Sequence, residues 1–178
     1  MARAEPNSVV ELFETQLKWM ALVWDDQAKV SRLSFYNGSR KKALEAVREF
    51  LTTETAVEDG SSKVARKLFR YAQGQETTFS DIELVPCSTV FQERVRTACR
   101  EVGYGQIATY GELAERAKSP KAARAVGLCM RNNPVPIIVP CHRVVGSNGR
   151  LIGFSAGPGV LLKQQMLNLE DANREFVR

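Results

Sequence analysis

Pro86–Thr89 divides the chain into two differently built parts, a mixed strand-and-helix pattern before it and a mostly helical one after it. Upstream, Leu17–Trp24 and Ala28–Tyr36 are β-rich runs separated by Asp25, Asp26 and Gln27, a hairpin pattern. Asn37-Gly38-Ser39 supplies a turn and an N-cap for a helix over Lys41–Leu51, where Leu44, Val47, Phe50 and Leu51 recur at helical spacing. Thr52–Ser62 is polar and reads as a loop. Lys63–Gln73 is a second helix with Val64, Leu68 and Tyr71 on one face, and Ile82–Val85 is a third strand. Residues 1–85 therefore predict a small α/β domain of two or three layers, without a repeat or a catalytic motif.

Downstream, the pattern is helical. Thr89 starts a helix striped by Phe91, Val95, Ala98 and Cys99, and Gly103-Tyr104-Gly105 stops it. Thr109 caps a helix over Tyr110–Ala117, with Glu112 at the capping-box position. Ser119-Pro120 then offers an N-cap and a first-turn proline for a helix over Lys121–Arg131. Two short helices joined this way make a helix-turn-helix candidate. On the second, Ala122, Val126, Cys129 and Met130 share an inward face. Lys121, Arg124, Leu128 and Arg131 lie opposite, and Ala123 and Gly127 keep the surface between them small enough for close approach to another surface, DNA or a second helix, with the arginines weighing against a helix. Asn132-Asn133-Pro134 ends the helix. Ile137-Ile138-Val139 reads as a buried strand, Gly146–Gly159 as a bending loop, and Val160–Glu170 as a closing helix that buries Leu161, Leu162, Met166 and Leu169. These runs define domains 1–85 and 86–178.

Composition narrows the chemistry. Of 178 residues, 44% are hydrophobic and 25% charged, as in a soluble globular protein. Residues 1–85 carry 12 basic and 13 acidic side chains, whereas residues 86–178 carry 13 and 7, so the net charge of +5 belongs to the second part. Such an excess fits either a polyanion partner or a solvated basic surface. The four cysteines include no CxxC pair, and His142 is the one histidine, which excludes multi-histidine metal sites. No apolar run is long enough for a signal peptide or a membrane span, so free thiols in a reducing compartment are expected.

Cys141 stands beside that histidine, after a proline and a buried run. It is a candidate nucleophile, although neighbours on an extended chain face opposite ways, and His142 would have to act through a turn or a water. A buried structural cysteine is the alternative for an isolated Cys-His pair. The surroundings decide the matter. Asn133–Gly157, NPVPIIVPCHRVVGSNGRLIGFSAG, resembles the active-site signature of the O6-alkylguanine-DNA alkyltransferases. The resemblance extends upstream through GYGQIATYGELAERAKSPKAARAVGLCMRNNP and covers Phe91 to Glu170, nearly half the chain.

The resemblance implies a fold, an activity and a set of roles. The fold is a small ribonuclease H-like α/β domain followed by a mostly helical domain with a helix-turn-helix. The activity is irreversible transfer of an alkyl group from O6-alkylguanine in double-stranded DNA, with O4-alkylthymine a further candidate, to a cysteine that acts once. Cys141 is the acceptor, His142 a water-mediated base, and Glu170 its orienting carboxylate. Asn133 is a hinge between the DNA-binding helix and the active-site segment. Arg124 is a finger that enters the base stack, and Tyr110 crowds a phosphate and meets guanine N3. Carbonyls of Cys141 and Val144 accept from the exocyclic amine, the Ser155 amide faces O6, and Phe154, Ala156 and Gly157 complete the pocket. Lys121, Ala123, Gly127 and Arg131 join Arg124 and Tyr110 on the minor-groove surface. No cofactor, metal or membrane is implied. A monomer in the cytoplasm, or in the nucleus of a eukaryote, is expected.

The chain departs from the family pattern in places. Phe154 stands where many members have tyrosine, and Ala156 where glycine is common. Pro158–Leu162 is longer than in some members, so aligning Glu170 needs an insertion, with Glu175 the alternative. The N-terminal zinc ligands of some members are absent. Arg143 fits a phosphate contact or an inward salt bridge. Cys87, Cys99 and Cys129 read as packing residues. A lesion binder of the alkyltransferase-like type would lack the acceptor that Cys141 supplies, and a regulator would need a further domain.

Overall fold

Val9–Thr15 forms strand β1, which the apolar pattern conceals because Glu11 and Glu14 interrupt it. The computed structural model describes residues 8–51 and 56–170, and it comprises two compact units, Met1–Val85 and Pro86–Arg178. In the first unit β1 pairs antiparallel with β2 (Lys18–Trp24), which pairs antiparallel with β3 (Val30–Asn37). Helix α1 (Arg40–Glu45) follows, capped by the Ser39 hydroxyl, and a 3-10 turn at Arg48–Phe50 replaces the rest of the expected Lys41–Leu51 helix. Strand β4 (Ala56–Asp59) runs parallel to β1, so the sheet order is β3-β2-β1-β4. This strand lies in the segment expected to be a loop. Its four residues are half acidic, and β-pairing with β1 rather than an alternating pattern defines it. Ile82–Val85 contributes only a single bridge from Leu84 to Val30.

Strand alternation sends β1 side chains to both faces. Val10 and Leu12 pack with Ala21, Val23, Ala43 and Val47 on the α1 side. Phe13 meets Phe69 of α2 (Lys63–Ala72), with ring centroids 5.2 Å apart, on the other. The unit therefore has three layers. Buried Glu11 is satisfied by the Ser62 amide (2.9 Å), the Ser62 hydroxyl (2.6 Å) and the Trp24 indole (3.1 Å), which ties the start of α2 to the central strand. Ala28, exposed in the β2–β3 turn, has φ +59. An L side chain pays for that conformation, and glycine does not. Ala28→Gly is expected to raise unfolding stability by about 0.5–1 kcal/mol, read as an upward shift in a thermal melt.

In the second unit Thr89 caps α3 (Val90–Arg100). Strand β5 (Ala108–Thr109) leads into α4 (Tyr110–Arg116), and the capping box forms as expected: the Glu112 amide donates to Thr109 Oγ1 and the Thr109 amide to Glu112 Oε2. Helix α5 spans Ala123–Arg131, not Lys121–Arg131. Lys118 adopts φ +57, and the Lys118 and Ser119 amides bond back to the Glu115 and Ala114 carbonyls. That is a Schellman closure of α4. Ser119 thus ends the preceding helix, and α5 starts only at Ala123, with Ala122 at its N-cap and no side-chain cap, so Ser119-Pro120 does not cap it and Lys121 lies in the connecting turn.

The run Ile137-Ile138-Val139 is buried but is not a strand. Pro134, Pro136 and Pro140 remove the amides that a ladder needs. The chain turns instead, with Ile137 at φ +72, the Val139 amide bonded to the Val135 carbonyl and the Val135 amide to Asn133 Oδ1. A 3-10 turn at Cys141–Arg143 follows, then β6 (Val144–Val145), parallel to β5. Helix α6 (Val160–Glu170) closes the unit. It buries Leu162, Lys163, Met166, Leu167 and Glu170, whereas Leu161 is 61% exposed, contrary to expectation. Among the described residues, no helix is long and apolar enough to cross a membrane.

Candidate active site

Cys141 opens the 3-10 turn and is almost wholly buried. Asn133 Nδ2 donates to the Val139 carbonyl (2.8 Å) and to Cys141 Sγ (3.2 Å). One side chain thus joins the end of α5 to the thiol, which fits a hinge position. Burial pushes the Cys141 thiol up from its ordinary range, while the Asn133 bond and the nearby Lys163 charge oppose that rise. The resting group is a protonated thiol, not a standing thiolate. Consecutive residues of a 3-10 helix diverge by about 120°. His142 therefore projects away from its neighbour's sulfur, although the chain here is a turn and not the extended segment the sequence suggests.

His142 is fully buried, and its Nε2 lies 2.7 Å from Glu170 Oε1. Glu170 also accepts from Arg143 Nε (2.9 Å), Arg143 Nη2 (3.0 Å) and the Gly105 amide (3.1 Å). Gly105 has φ +67, a left-handed conformation that glycine adopts without the strain an L side chain would carry. Burial alone would raise the Glu170 pKa, but the His142 and Arg143 bonds overcome it and hold the carboxyl down at about 2. Burial pushes His142 below its ordinary value, against the pull of Glu170. A neutral ring beside an ionised carboxylate donates from Nε2, which assigns the lone pair to Nδ1. Arg143, which also donates to the Val102 carbonyl, is the inward ion-pair partner and not a phosphate contact. Glu175 lies outside the described residues.

Tyr110 begins α4, and its hydroxyl donates to the Ile152 carbonyl (3.2 Å). Burial, followed by the charge that the Cys141 and Cys99 thiolates would carry, pushes its pKa up to about 12, so it stays a proton donor. The Gly146–Gly159 loop carries the Ile152 carbonyl that Tyr110 meets. Ser155 Oγ donates to the Arg131 carbonyl (3.0 Å), which ties that loop to the end of α5; Ser155 and Gly157 are exposed, and Phe154 and Ala156 half-buried. Val144 is buried. On α5, Arg124, Leu128 and Arg131 are exposed, with Leu128 at 59%, while Ala123 and Gly127 are partly covered. Lys121 is exposed too, but it precedes the helix. A Cβ on Gly127 would stand 3.9 Å from the Tyr110 ring, so that ring backs onto α5.

Sequence reasoning missed Lys163. It is buried, its ammonium donates to the Val144 (2.5 Å) and Ile152 (2.9 Å) carbonyls, and it lies 5.9 Å from the Tyr110 ring centroid. The signal was present: Lys163, Met166, Leu167 and Glu170 form a single stripe at helical spacing. Among the described residues no cluster of His, Cys, Asp and Glu could hold a metal ion.

A thiol with a fixed amide donor, a buried base of defined tautomer and a clamped carboxylate can accept an electrophilic carbon once its proton is removed. The model of the family 6-O-methylguanine DNA methyltransferase, DNA binding domain, matches residues 90–172. A methylated-DNA–protein-cysteine methyltransferase of Methanosarcina acetivorans is 38% identical over 159 residues, 89% of this chain and 96% of that one. Another, from Haemophilus influenzae, is 46% identical over 108 residues, 61% of this chain and 59% of that one. Among solved structures, Mycobacterium tuberculosis OGT in complex with DNA has a TM-score of 0.74 at 33% identity, covering 92% of this chain and 93% of that one. An O6-methylguanine-DNA methyltransferase from the archaeon Pyrococcus kodakaraensis has a TM-score of 0.67 at 26% identity, covering 92% and 99%. Matched over almost its whole length by one such protein, the chain belongs to the methylated-DNA–protein-cysteine methyltransferase family.

Proposed function

We propose that this chain repairs DNA by moving the alkyl group of O6-alkylguanine in a duplex to Sγ of Cys141, once per molecule. The observation that carries this reading is the thiol held by Asn133 beside the His142–Glu170–Arg143 network. The S–C bond forms as the C–O6 bond breaks. The thiol proton passes through a water to His142 Nδ1, and Glu170 balances the charge that the ring acquires. The guanine anion leaves and takes a proton at N3 from the Tyr110 hydroxyl, which the relay then restores. A thioether has no good leaving group, so the protein is spent. The raised thiol pKa supports a centre that is unreactive until the base arrives. The carbonyls of Cys141 and Val144 and the Ser155 amide would read the base edge, with Phe154, Ala156 and Gly157 around it. The α4–α5 pair would serve as a helix-turn-helix in the minor groove, and the first unit's sheet order supports a ribonuclease H-like domain. A monomer needs no partner subunit for this site.

The test is the nucleoside content of an O6-methylguanine duplex after incubation with protein in excess. Deoxyguanosine is expected to replace the modified nucleoside mole for mole. Release of a free base, or an unchanged duplex, contradicts the reading.

A buried base must leave the stack before a thiol can reach it, and Arg124 would fill the gap. Arg124→Ala is expected to slow repair about tenfold, with plain-duplex affinity falling no more than about threefold, because undamaged duplex offers no gap. Single-turnover rates beside fluorescence anisotropy at fixed salt check this. Equal losses in both would reduce Arg124 to a phosphate contact.

A further inference from the structure

Among the described residues Lys163 is the only buried lysine. Among the described residues no carboxylate meets it: the described ion pairs of the second unit join Glu170 to His142 and Arg143, and Glu93 to Arg96. A buried ammonium without a counter-ion is costly, and a methionine of similar length would fill the same space without that cost. What the ammonium supplies instead is geometry. One Nζ binds two carbonyls from different segments, Val144 on β6 and Ile152 in the bending loop. The Ile152 oxygen also accepts from Tyr110. When Tyr110 turns to a bound base, Lys163 still holds Ile152 in place. Burial lowers the lysine to about 8, so at neutral pH it is still mostly the three-donor cation that this bridging requires.

We propose that Lys163 is a positioning residue for base selection: it takes one lone pair of the Val144 carbonyl, fixes that oxygen against the loop, and leaves the other lone pair directed at the 2-amino group of guanine. A carbonyl oxygen has two acceptor directions, and a neighbour that occupies one orients the other. This rests on the proposed function, in which Val144 accepts from that amine. The consequence is selectivity. A base that lacks the 2-amino group leaves a fixed, desolvated acceptor unsatisfied, which the site disfavours.

The experiment compares single-turnover transfer from duplexes carrying O6-methylguanine and O6-methylhypoxanthine, which differ only in the 2-amino group. The parent is expected to prefer the guanine about tenfold. Lys163→Met is expected to bring the two rates to near parity. Lys163→Gln, whose single amide cannot bridge both carbonyls, is expected to lose most of the preference, and it is read in place of Lys163→Met if that variant does not fold. A lysine that only supports the fold slows both substrates alike, so an unchanged rate ratio in a folded variant overturns the proposal. Parity in the parent overturns it as well, with no variant needed. Failure of the parent to methylate Cys141 from either duplex would instead overturn the proposed function, and the two failures are thereby distinguished.

Discussion

Cys141→Ala is expected to bind alkylated duplex with the parent's affinity and to accept no alkyl group at all. The exposed side chains proposed to meet DNA, Arg124 and Arg131 on α5 and Lys121 in the turn before it, are untouched by the change. Removing one sulfur from a nearly closed site leaves a small cavity, worth about 1 kcal/mol, which a domain of this size withstands. No other thiol can stand in. Cys99 is fully buried, and burial drives its pKa well up. Cys87 and Cys129 are half-buried, burial raises both, and neither has an Asn donor or a histidine among its described bonds. Intact-protein mass and anisotropy on the same samples separate binding from transfer. A methyl group on the variant would mean that the acceptor has been misassigned.

Glu170→Gln carries the second large effect, because the carboxylate that pairs with buried Arg143 is also the one proposed to balance His142 during transfer. The amide can still accept from His142, but it cannot neutralise Arg143, which stays buried. An unpaired buried charge costs about 3–5 kcal/mol, and the second unit should melt more than about 10 °C lower. In the folded fraction transfer should slow by about 10–100-fold, since nothing balances the imidazolium that forms. The pH dependence has a definite sign. The folded pKa of about 2 lies below the unfolded value, so the carboxylate's contribution is complete above about pH 4.5 and fades as pH falls towards 2. His142, whose pKa burial lowers, adds a loss of stability below about pH 6.5, because the unfolded chain takes up the proton more readily. Urea melts between pH 7 and 3 should show both losses in the parent, whereas Glu170→Gln should keep the histidine loss and only a smaller acid loss, from Glu112, held low by its bonds to Thr109, and Glu93, held low against burial by Arg96. A variant with native melting, the parent's acid profile and the parent's rate would remove Glu170 from the account.

Much of the site was legible because its signals are local. A capping box, a proline-bounded cysteine and one histidine are read from neighbours in sequence, and the Thr109 cap and the buried Cys141 follow. The pairing of His142 with Glu170 across 28 positions came from the resemblance alone, since no spacing rule links a 3-10 turn to the end of a later helix. What failed was what tertiary structure decides. Strand β4 is too short and acidic to announce itself and exists through its pairing with β1. Ile137–Val139 has the composition of a strand, but the flanking prolines leave it no ladder. Ser119-Pro120 looks like a helix start, yet the Ser119 amide ends the previous helix and the next one begins only at Ala123. Lys163 went unnoticed because a lysine in an apolar stripe reads as surface until its two carbonyl partners are seen.

The central claim is that Cys141 is the sole acceptor and acts once. It is tested most directly by peptide-mapped mass spectrometry after incubation with an excess of O6-methylguanine duplex. The account predicts a gain of one CH2 on the peptide carrying Cys141, a plateau at one per molecule, and no gain on the peptides of Cys87, Cys99 or Cys129. A methyl group on any other residue, or repair that continues past one equivalent while Cys141 stays unmodified, would contradict it.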